Sequence, residues 1–106
     1  MIDAIELREW LIDLFPSFQE EWEENENDIT LHGVLIVFTQ YFGADKDKFN
    51  EKQIKTLADF INKSVEKDDD LENAISTCFL EHLNQIESGK LMKPFLSKIA
   101  KDKMHA

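Results

Sequence analysis

Apolar residues recur every three to four positions in each long apolar segment of this chain, which is the spacing of one face of an α-helix. The clearest stripe lies between residues 71 and 86, and Gly89 is placed to end the helix that this stripe predicts. Its members are Leu71, Ala74, Ile75, Cys78, Phe79, Leu83 and Ile86. Only three Gly and two Pro interrupt the 106 residues. The spacing therefore predicts an all-α fold, and the length predicts one helical domain over residues 1–106.

Residues 29–42 (ITLHGVLIVFTQYF) form the most apolar stretch of the chain. Their β-branched run is also compatible with a strand, but the length of the stretch and the lack of any partner strand favour a helix. A helix that is apolar nearly all round is buried on every side. We therefore expect 29–42 to be the central helix of a compact bundle of five to six helices, ended by Gly43.

Capping residues mark where the other helices begin. Asp3 precedes the first apolar stripe, and Asn50 precedes another with Gln53 at the capping-box position. Ser17 follows the first stripe after Pro16 and has Glu20 at the same spacing. These signals predict helices that start after Asp3, Ser17 and Asn50.

Charge is distributed unevenly along the chain, whose formal net charge is −10. Residues 1–30 carry ten acids and one base, whereas residues 31–106 are almost balanced. From about residue 90 the sign reverses, with five Lys against one Asp, which predicts a short basic C-terminal tail around a last helix beginning near Pro94. Because a field of this sign repels phosphates, we expect no direct binding to nucleic acid or to a membrane. The balance favours a basic partner.

Two acidic strings are the candidate partner-binding residues. The first surrounds a tryptophan and contains no Lys that would relieve its repulsion: Glu20, Glu21, Trp22, Glu23, Glu24, Glu26 and Asp28. The second consists of Asp68, Asp69, Asp70 and Glu72. A solvated surface that aids solubility is the alternative interpretation of both strings. Trp22 itself fits either an interface anchor or a core residue.

Residues that could carry chemistry are few. Cys78 and His82 lie four positions apart on one predicted helix, a spacing that suits a metal or a thiolate–imidazole pair. Because Cys78 belongs to the apolar stripe, we expect a buried, slowly reacting thiol, and neither catalysis nor a metal or other cofactor. A single Cys excludes an internal disulfide and fits a reducing cytosol, and no leader or apolar run of membrane-spanning length is evident. We therefore expect a cytoplasmic protein.

Three segments resemble small, acidic, all-helical bacterial proteins encoded beside polymorphic toxins, including the immunity proteins of contact-dependent growth inhibition systems. They are LFPSFQEEWEE, LHGVLIVFTQYF and DLENAISTCFLEHLNQIE. The likeness covers roughly residues 7–88, and its best markers are Phe15–Pro16 and the Phe79–Leu80–Glu81 turn. The resemblance implies a protein that binds and neutralises one cognate toxin domain, in many cases a nuclease, in the cytoplasm. It implies no catalytic residues.

An acidic helical adaptor or regulatory module that binds another basic protein is the alternative function. A weaker one is an enzyme or metal protein built on Cys78, His82 or the acidic loops. A toxin domain encoded immediately upstream would favour the immunity protein over the adaptor. The identity of the toxin, the way its active site is blocked and the oligomeric state have no signature in the sequence.

Overall fold

Helices make up all the regular secondary structure in the residues that the computed structural model describes, which are 3–22, 30–44, 49–67, 69–83 and 85–104. The all-α prediction is confirmed for this part of the chain. The helices are α1 (Ala4–Leu14), α2 (Phe18–Trp22), α3 (Leu31–Ala44), α4 (Glu51–Ser64), α5 (Asp70–Ile75), α6 (Glu81–Leu83), α7 (Glu87–Met92) and α8 (Lys98–Asp102). A π-helical turn at Ser76–Leu80 joins α5 to α6, and a 3-10 turn at Lys93–Phe95 follows α7. There are more helical segments than the five to six predicted, because the C-terminal third is more finely divided.

Local capping starts α1 and α4 where the sequence predicts. Asp3 accepts a hydrogen bond from the Glu6 amide at 2.9 Å, and Asn50 accepts one from the Gln53 amide at 2.8 Å. In both cases the third helical residue bonds back to the cap, which completes a capping box. The predicted cap at Ser17 is not made by its side chain, because that hydroxyl lies 2.5 Å from the hydroxyl of Tyr41.

The central helix of the bundle is α3, which packs against α1, α2, α5, α7 and the π-helical turn. The Thr30 hydroxyl starts it by accepting a hydrogen bond from the Gly33 amide at 2.9 Å. Its inward face consists of six buried residues: Val34, Leu35, Phe38, Thr39, Tyr41 and Phe42. The predicted central position is therefore confirmed, although Ile29 lies outside the described residues and the helix continues past residue 42 to Ala44.

Neither Gly43 nor Gly89 ends a helix, contrary to the sequence-based expectation. Gly43 lies within α3 and Gly89 within α7, and no glycine among the described residues has a positive φ. Both glycines instead allow another part of the chain to lie close to the helix backbone. A Cβ on Gly43 would lie 2.9 Å from the Ile86 side chain, and one on Gly89 would lie 2.0 Å from the Leu83 carbonyl oxygen.

The predicted helix 71–86 begins at Asp70, widens into the π-helical turn and ends at Leu83. Thr39 explains the widening. Its hydroxyl lies 2.7 Å from the carbonyl oxygens of both Leu35, on its own helix, and Cys78, which share its one proton. Insertion of a side chain into the hydrogen-bond ladder is a recognised cause of such local distortion. The π-helical turn therefore fixes the backbone at Cys78 against α3.

The hydroxyl of Thr39 is expected to contribute measurably to stability. In a Thr39→Val variant the buried Cys78 carbonyl loses this donor, which should lower the free energy of unfolding by about 1–3 kcal/mol in urea denaturation. Thr39→Ser keeps the hydroxyl and serves as the matched control. A loss in Thr39→Ser with none in Thr39→Val would show that packing of the methyl group, and not the hydrogen bond, sets the effect.

The segment after residue 90, predicted as a short basic C-terminal tail, contributes side chains to the core. Every fourth side chain along it is buried: Met92, Leu96, Ala100 and Met104. Pro94 lies in the 3-10 turn and does not begin the last helix. That helix, α8, starts after Ser97, whose hydroxyl accepts from the Ala100 amide at 3.2 Å. Only the outward Lys side chains give this end its basic character.

Candidate functional site

The outward face of α1 carries most of the acidic side chains that the structure describes in the N-terminal third. Glu6, Glu9 and Asp13 are exposed and lie at helical spacings of three and four, so they share one side of the helix. Ile5, which is 50% exposed, lies on the same side. We call these four residues the acidic face. Glu20 on α2 is also exposed.

The carboxylates of the acidic face differ in what they already contact. Glu6 completes the capping box of α1 by accepting from the Asp3 amide at 3.4 Å. Within the described ranges, by contrast, the side chains of Glu9, Asp13 and Glu20 form neither hydrogen bonds nor ion pairs. Their charges are therefore available to an external partner.

The first predicted acidic string is only partly visible. The backbone of residues 18–22 is helical, and Phe18 at its start is fully buried. The side chains of Glu21 and Trp22 lie outside the described residues, as do Glu23, Glu24, Glu26 and Asp28 entirely. The prediction that Trp22 anchors a partner therefore stays a prediction.

The second predicted string is engaged largely within the chain. Asp69 caps α5 by accepting from the Glu72 amide at 2.9 Å. Glu72 pairs with Lys103 at 2.5 Å, and the two side chains are only 16% and 29% exposed. Asp70 is exposed, while Asp68 lies outside the described residues. The first contact caps the start of α5, and the second links α5 to the C-terminal segment. Both favour a structural role for Asp69 and Glu72.

Charge is segregated between the two ends of the chain. The described N-terminal helices expose carboxylates, whereas the segment from α7 to α8 exposes Lys90, Lys93, Lys98 and Lys101. The last of the five lysines, Lys103, is the one that pairs with Glu72. The predicted contrast between an acidic and a basic end therefore arises from exposed side chains on helical segments.

A second candidate site surrounds Cys78. Its Sγ lies 3.2 Å from Nδ1 of His32, at the start of α3, with the donor set by the imidazole tautomer. Cys78 is 8% exposed and lines an open cavity of about 480 Å³ between α3 and the helix that carries it. His82 lines the same cavity. The predicted burial of Cys78 is confirmed, but its imidazole partner is His32.

Sequence spacing could not identify this pair, because 46 positions separate His32 from Cys78. Only the packing of α3 against the π-helical turn brings them together. The structure does not extend the pair to a metal centre, since the described residues contain no group of three or more His, Cys, Asp or Glu suited to hold an ion.

Comparison with known proteins identifies a family but not an activity. No curated protein and no solved structure matches the chain. Among the described residues, none of the helices combines the length and the apolar character needed to cross a bilayer. One family model, described as "Domain of unknown function (DUF7674)", matches residues 8–104, which run from within α1 to beyond α8 and include Glu9, Asp13 and the Cys78 site. Because the match covers nearly the whole chain, the protein belongs to the DUF7674 family.

Proposed function

We propose that this protein is an immunity-type inhibitor, which binds a cognate basic toxin domain in the bacterial cytoplasm and neutralises it without chemistry of its own. One observation carries the proposal: the exposed carboxylates of Glu9, Asp13 and Glu20 form no hydrogen bond or ion pair among the described residues, while the segment from α7 to α8 exposes four lysines. The resemblance of three segments to toxin-immunity proteins supports the same function.

The physical argument favours a nuclease as the toxin. An enzyme that cleaves nucleic acid presents a positively charged cleft to the phosphates, and an acidic inhibitor is complementary to that cleft. Complementary charge raises the association rate and discriminates against wrong partners more than it raises affinity. The field of exposed charges decays over about 8 Å at physiological ionic strength, so binding should slow as salt is added.

The acidic face offers both components of an interface. Glu9 and Asp13 supply charge that no contact within the described part of the chain neutralises, and Ile5 supplies an exposed apolar side chain beside them. Interfaces combine an apolar centre with a polar rim, and single exposed ion pairs contribute only about 0–1 kcal/mol each. The predicted string from Glu20 to Asp28 would extend this surface in the proposed complex.

Charge reversal tests the proposal. The variant Glu9→Lys, Asp13→Lys, Glu20→Lys should bind the toxin domain encoded beside this gene with an association rate lowered on the order of tenfold at low salt. It should also protect cells less well than the wild type. The association rate is measured by stopped-flow or surface plasmon resonance, after an unchanged melting curve has shown that the variant is folded.

The matched control reverses three exposed acids elsewhere, in the variant Asp59→Lys, Glu66→Lys, Glu81→Lys. Both variants change the net charge equally, so only the position differs. Equal slowing in both would mean that net charge and not the acidic face guides binding. A neighbouring toxin domain that neither binds nor is neutralised would contradict the immunity function.

The same acidic face fits a basic protein other than a toxin, which is the adaptor alternative. Affinity purification of the wild-type protein and of the Glu9, Asp13 and Glu20 variant separates the two. An immunity protein should retain its upstream neighbour, whereas an adaptor should retain a different basic protein through the same three carboxylates.

A further inference from the structure

The cavity at Cys78 has the dimensions and lining of a small-molecule site. Its volume of about 480 Å³ lies within the range of about 300–1,000 Å³ usual for ligand pockets. Its wall combines apolar side chains such as Ile36 and Ile86 with the polar groups of Gln40 and His82. Cys78 is the one thiol of the chain, so the cavity leads to its only soft nucleophile.

His32 gives this thiol a base. The 3.2 Å separation between His32 Nδ1 and Cys78 Sγ is a hydrogen-bond distance for sulfur, and a nucleophile with a base at such a distance is the usual arrangement for covalent chemistry at cysteine. The two side chains come from different helices, so the tertiary packing and not the chain sequence sets their distance. His32 is exposed, which allows its imidazole to exchange protons with water.

The π-helical turn holds the nucleophile in place. Thr39 donates to the Cys78 carbonyl at 2.7 Å, and Oγ1 of Thr77 lies 3.7 Å from Sγ. Single π-helical turns within α-helices recur at functional sites, where they present a side chain that a regular helix would direct elsewhere. Backbone and thiol are therefore both fixed relative to the cavity.

We propose that Cys78 and His32 form a thiol-exchange site, at which a low-molecular-weight disulfide entering the cavity converts Cys78 into a mixed disulfide. Sγ of Cys78 attacks one sulfur of the disulfide, and the bond between the two reagent sulfurs breaks. The thiol proton passes to Nδ1 of His32 and then to the departing thiolate. Cys78 is oxidised, and half of the reagent leaves reduced, so electrons and protons balance.

The class of reagent follows from the surroundings of the thiol. Cys78 is buried but lines the open cavity, so its thiol can be approached by a small molecule and not by a folded protein. The chain contains no second Cys that could resolve the adduct, so the mixed disulfide is the end product until an external thiol reduces it. The net charge of −10 favours a cationic reagent.

This inference revises the expectation of a slowly reacting Cys78. That expectation depended on the apolar stripe alone, and neither the open cavity nor the contact with His32 is evident in the stripe. The proposal is independent of toxin binding, since the acidic face and the cavity share no residue.

Cystamine, a small cationic disulfide, is the probe. Intact-mass spectrometry of the native protein should show one cysteamine adduct per chain, removed by dithiothreitol and absent from Cys78→Ser. The reaction of His32→Gln should be at least about tenfold slower, in keeping with the contribution of a positioned base. Thr56→Ala, an exposed change on α4 outside the cavity, should react within twofold of the wild type.

Reaction in 8 M urea controls for the intrinsic reactivity of the thiol. Unfolded wild type and unfolded His32→Gln should react at the same rate, and both native proteins should show the same melting curve before labelling. A native wild-type protein that forms no adduct while the unfolded chain does would overturn the proposal. Equal native rates for wild type and His32→Gln would overturn it as well, because the thiol would then act without its neighbour.

Discussion

A Phe38→Ala variant is expected to lose about 3–5 kcal/mol of unfolding free energy, the cost of truncating a fully buried aromatic. Phe38 is 1% exposed at the middle of α3. Its ring centroid lies 5.3 Å from that of Phe15, 5.2 Å from Phe18 and 5.8 Å from Phe79. Truncation therefore opens a cavity where α1, α2, α3 and the π-helical turn meet. Urea denaturation at 25 °C measures the loss.

Phe95→Ala is the matched control for this truncation. Phe95 is only partly buried, at the end of the 3-10 turn, with Nζ of Lys55 at 5.3 Å from its ring centroid. Its truncation should cost about 1 kcal/mol, the value for partial loss of aromatic burial. Similar losses in the two variants would contradict the central position assigned to α3.

Signals that act within a few residues predicted the structure best. The capping boxes at Asp3 and Asn50 are each completed three residues later, so the sequence contains all the partners that matter. The central helix was predictable for a related reason. A helix that is apolar on nearly all sides can remove its side chains from water only if it is buried on all sides, whichever helices surround it.

Features that depend on distant partners were not predictable. The π-helical turn depends on Thr39, which lies 39 positions before the Cys78 carbonyl that it contacts. The same turn carries the thiol to His32 and not to His82, although the spacing of Cys78 and His82 is the more suggestive in sequence. The apolar periodicity locates the helix. It does not show where the backbone hydrogen bonds of that helix change from the α-helical to the π-helical pattern.

The acidic surface was predictable as a charge but not as a set of side chains. The distribution of charged residues places most of the net negative charge in residues 1–30. Counting cannot tell which carboxylates are already engaged: Asp69 caps a helix and Glu72 pairs with Lys103, whereas Glu9 and Asp13 remain open to solvent. The carboxylates that remain open to solvent therefore lie on α1, a helix that the sequence patterns did not single out.

Gly89 illustrates how one residue type can have two physical roles. As a helix-ending residue it would need a positive φ, yet no glycine of the described chain has one. Its role is steric instead, since α7 lies so close to the end of α6 that the Leu83 carbonyl occupies the space of a side chain. Sequence alone cannot separate these roles, because both require the absence of a Cβ.

A Gly89→Ala variant should therefore be strongly destabilised, by about 3 kcal/mol or more, as expected when a tightly packed site is overfilled. A new Cβ would lie 2.0 Å from the Leu83 carbonyl oxygen and 2.9 Å from its carbonyl carbon, and backbone atoms cannot rotate away. In an uncrowded helix the same change raises stability by about 1 kcal/mol, so the sign of the effect is itself diagnostic. Thermal and urea denaturation both measure it.

Gly43→Ala provides the comparison within the same fold. Its Cβ would meet Cγ2 of Ile86 at 2.9 Å, and a side chain can shift by a few tenths of an ångström where a backbone cannot. The gain in helix propensity of about 1 kcal/mol then offsets most of the crowding, so this variant should remain close to wild type. If Gly89→Ala is as stable as Gly43→Ala, α7 does not pack on the Leu83 carbonyl. A large loss for Gly89→Ala alone would show that α7 packs directly on the backbone at the end of α6.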